Sequence, residues 1–372
     1  MKAFLKIGID QFLVGLSLFV FSSIVVSITT FEDYARYTNM LAVLVFMQGL
    51  IQVIVGEQLI YGWKTSNYIN LTIVLVTLII GVIIFIDLSE ARGVVVISSI
   101  ITSALLATFY PATRAFLYAY NPTQGSLMSY IFSILLLLFS IIVLTFTVSE
   151  PMYLLGAYLV SQVCAILLAV IVKGFPHVDY AKFRVIKSLS FKQIAYHLIL
   201  FMASGLVFIF AEKIDAELTG KYRKLLFFVY PINQGISVIA LWLVPMLRAR
   251  SDEFIRLARK VIIINIFCAP ILVGIFYSVY NAILSRIELT LIELVLIALF
   301  GTCLIPNTIL SHYMKFRLRW RALILGHGTL TIFYIGAFLF ALKEAPTMVY
   351  LIVLATIYQF SIAIYNMLVL RK

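Results

Sequence analysis

The chain has 372 residues, of which 63% are hydrophobic and only 12% charged, with a formal net charge of +12. Its mean hydropathy of +1.09 lies far from that of a soluble domain, which is nearer half apolar and a quarter charged. That composition excludes an ordinary soluble enzyme or binding module. It makes the number of bilayer crossings the first question.

Apolar runs of about 20 residues, the length that spans ~30 Å of hydrocarbon, recur from end to end. They predict twelve membrane helices, at 7–29, 39–60, 68–87, 93–118, 125–148, 151–173, 194–211, 225–247, 260–281, 291–312, 322–341 and 347–369. The runs do not alternate as barrel strands do, and backbone groups in lipid must bond within their own segment. The N-terminal run is longer than the apolar core of a signal peptide and more spans follow, so it reads as a retained first helix.

Lys and Arg set the orientation. With the N-terminus inside, 20 of the 28 Lys and Arg residues fall on cytoplasmic segments and 8 on the other side. This bias predicts both termini in the cytoplasm and accounts for most of the net charge, so nucleic acid is not an expected partner. The longest cytoplasmic connection, 175–192, divides an N-terminal six-helix bundle, 1–174, from a C-terminal one, 193–372. Six spans per half give both halves one orientation, as in a parallel repeat about an axis normal to the membrane. Gln48-Gly49 in the second span and Gln234-Gly235 in the eighth form a faint echo of such a repeat.

Polar residues inside spans are expensive and mark either a partner helix or a cavity. The first span carries Asp10 in its opening turn, where an acid favours a helix N-terminus. The second carries Gln48, Gln52 and Gly56 on one helical stripe. Arg114 follows Pro111 near the cytoplasmic end of the fourth; it reads equally as a snorkelling cation and as a phosphate ligand. The seventh carries His197, Phe201, Ser204 and Phe208 and ends in Glu212-Lys213. The eighth carries Asn233, Gln234 and Ser237, and Pro245 should bend it near the cytoplasm. Between these two spans, 7 of the 13 residues from Glu212 to Lys224 are charged. Spans three and five are almost purely aliphatic. Cys164, Cys268 and Cys303 all fall within spans and read as small packing residues. No Gly-x-x-x-x-Gly-Lys-Ser/Thr loop, no Gly-x-Ser-x-Gly elbow and no His-Glu-x-x-His motif occurs, so neither a cofactor nor a metal is expected.

The stretch from Ala211 to Phe254 resembles the most recognisable region of the bacterial polysaccharide-unit (O-antigen, Wzx-type) flippases. These belong to the multidrug/oligosaccharidyl-lipid/polysaccharide exporter superfamily. The matching features are the acid–base pair Glu212-Lys213, Gly220-Lys221-Tyr222 after it, and Leu243-Val244-Pro245 before a charged cytoplasmic segment. In the first half, Phe31 to Met40 occupies the corresponding place but lacks the glycine.

The resemblance implies an all-α, MATE-like membrane protein of two six-helix bundles related by a pseudo-two-fold axis. Its cavity would be lined by spans 1, 2, 7 and 8. The substrate would be an undecaprenyl-diphosphate-linked oligosaccharide, flipped across the bacterial inner membrane by alternating access. Polymerase and other assembly proteins would be partners. Gln48, Gln52, Asn233 and Gln234 would meet sugar hydroxyls and Arg114 the diphosphate, and His197, Asp10, Glu212 and Lys213 would complete the cavity and its rim. Three rivals stay open, one of them a scaffold subunit without transport. A drug or cation exporter would need a buried carboxylate. A membrane polymerase or acyltransferase would need a long periplasmic loop or an embedded His with a polar partner, for which His327 is the candidate.

Overall fold

The computed structural model describes residues 2–53, 63–64, 79, 94–174, 184–185, 189–229, 232–233, 235–236, 251–284 and 289–371. Gln234, Gly56, Ser237, Pro245 and the third predicted span lie outside the described residues, apart from residue 79. The chain forms two compact units. One runs from Phe12 to Phe201; the other joins Met1–Gln11 to Met202–Lys372.

The Phe12–Phe201 unit contains most of α1 (Lys2–Ile28), α2 (Phe31–Ile51), α3 (Val94–Ala107), α4 (Tyr110–Tyr120), α5 (Pro122–Phe146), α6 (Pro151–Lys173) and α7 (Leu189–Phe201). Starts and stops follow local chemistry. Thr30 caps α2 by accepting the Asp33 amide at 3.1 Å, and Pro122 and Pro151 open α5 and α6 where their missing N–H is harmless. Gly174 ends α6 at φ +66°, and the Gln124 amide closes the exposed carbonyls of Ala169 and Gly174 at 2.9 and 2.7 Å. At the centre, α6 packs on α2, α3, α4 and α5. Met40, Leu44, Met47 and Ile51 form the buried stripe of α2.

The fourth predicted span is not one helix. It breaks at Thr108–Phe109 into α3 and α4. Pro111 has no N–H to give the carbonyl of Ala107, one helical repeat earlier, and the helix cannot continue through it unaided.

A two-residue parallel ladder pairs β1 (Trp63–Lys64) with β2 (Arg184–Val185). Paired backbones lie about 4.8 Å apart, so both segments occupy one side of the membrane. An even number of crossings therefore separates them.

In the other unit the chain continues through a π-helical turn, Met202–Leu206, into α8 (Val207–Ile214) and α9 (Ala216–Leu226). After a 3₁₀ turn, Phe227–Val229, come α10 (Ser251–Leu284), α11 (Leu291–Phe316), α12 (Trp320–Glu344) and α13 (Met348–Arg371). The main layers are α11 on α13, α10 on α11 and α12 on α13. Thr290 and Glu293 form a reciprocal capping box at the start of α11. Pro306 in α11 withholds a donor from the carbonyl of Thr302, and Asn265 of α10 supplies one at 2.7 Å.

The charged stretch leaves Lys213, Glu217 and Lys221 exposed. It folds as the end of α8 and a second helix, α9, capped by Asp215, which accepts the Leu218 amide at 2.8 Å. Tyr222, Arg223 and Lys224 are buried, and the Arg223 guanidinium lies 4.6 Å over the Phe208 ring. Burial raises the Tyr222 phenol above its ordinary pKa, opposed by a hydrogen bond from Tyr334 and the Arg223 charge.

Among the described residues, 8 helices are long and apolar enough to cross a membrane, from Ile9–Ile28 to Met348–Val369. The chain is a multi-pass, all-helical membrane protein apart from the short ladder.

Candidate functional site

The break before Pro111 organises one polar cluster. Each carbonyl that it exposes is claimed. Leu105 O accepts from the Thr108 hydroxyl at 2.6 Å, and Leu106 O from the Phe109 amide at 3.2 Å. Ala107 O accepts from Gln48 Nε2 of α2 at 3.1 Å. The same nitrogen donates to Gln162 Oε1 of α6 at 2.7 Å, so both Gln48 amide hydrogens are committed inside the bundle. Buried carbonyls in an apolar interior demand such partners.

One turn past the break, α4 presents Arg114. Its Nε donates to Ser129 Oγ of α5 at 2.9 Å, and Ser129 passes its own proton to Gly125 O at 3.1 Å. Anchoring through Nε fixes the plane in which the two terminal nitrogens lie. Tyr158, one turn before Gln162, hydrogen-bonds that glutamine and lies within electrostatic reach of Arg114. A half-buried guanidinium, a phenol and two carboxamides therefore share one region of this unit. Of these, the terminal guanidinium nitrogens of Arg114 are suited to phosphate oxygens, whereas both Gln48 amide hydrogens are already used.

Elsewhere on α2 the sequence-predicted stripe meets α7. His197 Nε2 donates to Phe46 O at 3.2 Å, its ring stacks on Phe46 at 5.5 Å, and Phe46 stacks on Phe201 at 4.1 Å. Gln52 is half-buried in the π-turned end of α2, and its Oε1 has no hydrogen-bond partner among the described residues.

The remaining predicted residues lie in the other unit. Asp10 is fully buried, and α1 begins eight residues earlier, so it is not at the helix N-terminus that the sequence suggested. Glu212 is half-buried and Lys213 exposed in the last turn of α8, and Asn233 is exposed. His327 does have a polar partner: it is buried and bonded to Asn366 Oδ1 at 2.8 Å. Among the described residues no group of three His, Cys, Asp or Glu could hold a metal.

Three members of the Arg114 cluster were not predicted: Ser129, Tyr158 and Gln162. The pair Ser161-Gln162 in the middle of an apolar span was the available signal.

No family model and no curated protein matches the sequence. Solved structures do match. A variant of the Vibrio cholerae MATE transporter VcmN superposes with a TM-score of 0.63 at 13% identity, over 100% of this chain and 97% of that one. The outward-facing form of a multidrug resistance MATE family transporter of the MOP superfamily gives 0.53 at 14%, over 100% and 87%. A MOP superfamily transporter from Pyrococcus furiosus, described as having a binding pocket of reverse polarity that suggests a different function, gives 0.52 at 13%, over 100% and 95%. Identity this low speaks for architecture alone: the chain has the all-helical, multi-pass fold of the MATE transporters.

Proposed function

We propose that the protein is a transporter that turns an undecaprenyl-diphosphate-linked oligosaccharide from the cytoplasmic to the outer leaflet of a bacterial inner membrane by alternating access. The MATE fold supports a transporter. The observation that carries the substrate class is Arg114, a guanidinium anchored by Ser129 beside Tyr158 and Gln162. An arginine held in one plane suits a diphosphate, and neighbouring phenol and amide groups suit sugar hydroxyls, while the polyprenyl tail stays in lipid. The charge bias supports a cytoplasmic location for both termini.

The test compares Arg114→Ala with Arg114→Lys at equal expression. Ala abolishes surface polysaccharide, and Lys, keeping charge without the planar fork, retains part of it. Wild-type polysaccharide from Arg114→Ala rejects the phosphate role and leaves a snorkelling cation.

A second reading, export of a small cationic molecule, is favoured by the full burial of Asp10. A buried carboxylate is what proton- or cation-coupled export requires. Asp10→Asn tests it: under this reading the change abolishes export of a cationic dye and leaves surface polysaccharide intact, and unchanged dye export rejects the reading.

A further inference from the structure

We propose that Gln48 acts as a positioning residue for Arg114, by plugging the carbonyl that Pro111 leaves open, and does not touch the transported molecule. The inference rests on the diphosphate reading of Arg114. A glutamine in the middle of a span invites assignment as a sugar ligand, but the donor count argues otherwise. Its two amide hydrogens go to Ala107 O at 3.1 Å and Gln162 Oε1 at 2.7 Å, and it is 5% exposed.

The acceptor explains the residue. In an unbroken helix Ala107 O would receive the amide of residue 111, and proline has none. The neighbouring carbonyls of the break are met locally, by Thr108 and Phe109. Ala107 O alone among these three is met from another helix. That bond ties α2 to the last residue of α3, and Gln162 carries the tie on to α6. It thus fixes the angle at which α4 departs. Arg114 stands one turn past Pro111, and its Nε bond to Ser129 at 2.9 Å has the short reach that a tilt of α4 breaks first.

The other unit solves the same problem with different residues, Asn265 for Gln48, Thr302 for Ala107 and Pro306 for Pro111. A carboxamide thus meets a proline-freed carbonyl once in each unit.

The proline provides the test. Replacing it by alanine returns an N–H at position 111 and makes the plug redundant. Gln48→Leu, Pro111→Ala and the double variant are made in the full-length protein. Melting temperature and binding of inorganic pyrophosphate are measured for each. Gln48→Leu alone lowers the melting temperature by several degrees and weakens pyrophosphate by about tenfold, the order lost with a misplaced bidentate contact. In the Pro111→Ala background the same substitution has a clearly smaller effect on both quantities, since only the bond to Gln162 is then lost. If Gln48→Leu weakens pyrophosphate equally in both backgrounds, Gln48 is a direct ligand and the proposal falls. It falls too if Gln48→Leu alone changes neither quantity. If the unsubstituted protein does not bind pyrophosphate, the diphosphate reading and the positioning role fail together. The coupling in melting temperature then still decides, separately, whether Gln48 plugs the break.

Discussion

The imidazole of His197 occupies the volume that a side chain at residue 49 would need: a Cβ built on Gly49 runs into the ring. The contact is with the rigid ring itself, which is pinned by its bond to Phe46 O and by stacking on the Phe46 ring. Gly49→Ala should therefore destabilise the Phe12–Phe201 unit by about 1–3 kcal/mol, the usual range for overpacking. His197→Ala in the same chain should remove most of that loss. A melting series over the four combinations checks it, and equal losses with and without His197 refute the contact.

Asn265 and Pro306 allow a second cycle. Asn265→Leu strips the Thr302 carbonyl of its donor at 2.7 Å and should destabilise by about 1–3 kcal/mol, as for other buried unpaired acceptors. Pro306→Ala restores a helix amide to that carbonyl and should erase most of the difference.

Cysteine labelling separates polar lining from structural bonding. In a background lacking Cys164, Cys268 and Cys303, Gln52→Cys and Asn233→Cys should react with a small water-soluble thiol reagent. Gln48→Cys should be slow, because that position is enclosed. Ile134→Cys, 59% exposed on the outside of an apolar helix, should also be slow, because lipid covers it. Fast labelling at Ile134 would mean that α5 is not lipid-facing.

The 20:8 charge bias predicts that reporters fused after Lys173 and after Lys372 both read cytoplasmic. An external signal from either one overturns the topology.

The spans that are helical from end to end were legible because hydropathy alone specifies them. The bounds of α6 were legible from hydropathy, whereas α5 begins three residues earlier and α11 ends four residues later than their apolar runs. The break in the fourth span was not legible. The apolar run continues unbroken past Pro111 to residue 118, so hydropathy did not show the interruption at Thr108–Phe109 that separates α3 from α4. Charge density in the α8–α9 stretch did not show its helical form: Asp215 caps α9 through the Leu218 amide, and Tyr222 and Arg223 pack against Phe208. At the site, Arg114 could be singled out because a cation in a span is rare. Ser129, Tyr158 and Gln162 could not be joined to it. Which helices face one another is set by packing that hydropathy does not encode. A mid-span amide reads the same whether it serves a substrate or a carbonyl.

The ladder between Trp63–Lys64 and Arg184–Val185 bears on how the chain is made. Its first strand leaves the ribosome early, but its second emerges only after four further predicted spans. During synthesis the Trp63–Lys64 edge must wait unpaired while those spans enter the bilayer. Pairing then occurs just as the seventh span begins to emerge. The two residues of β2 thus act as a late clasp on the first half of the protein, closing at the moment its last span has been delivered. Halting translation before residue 184 should leave the early helices inserted but unclasped, and open to proteolysis at the Trp63 edge.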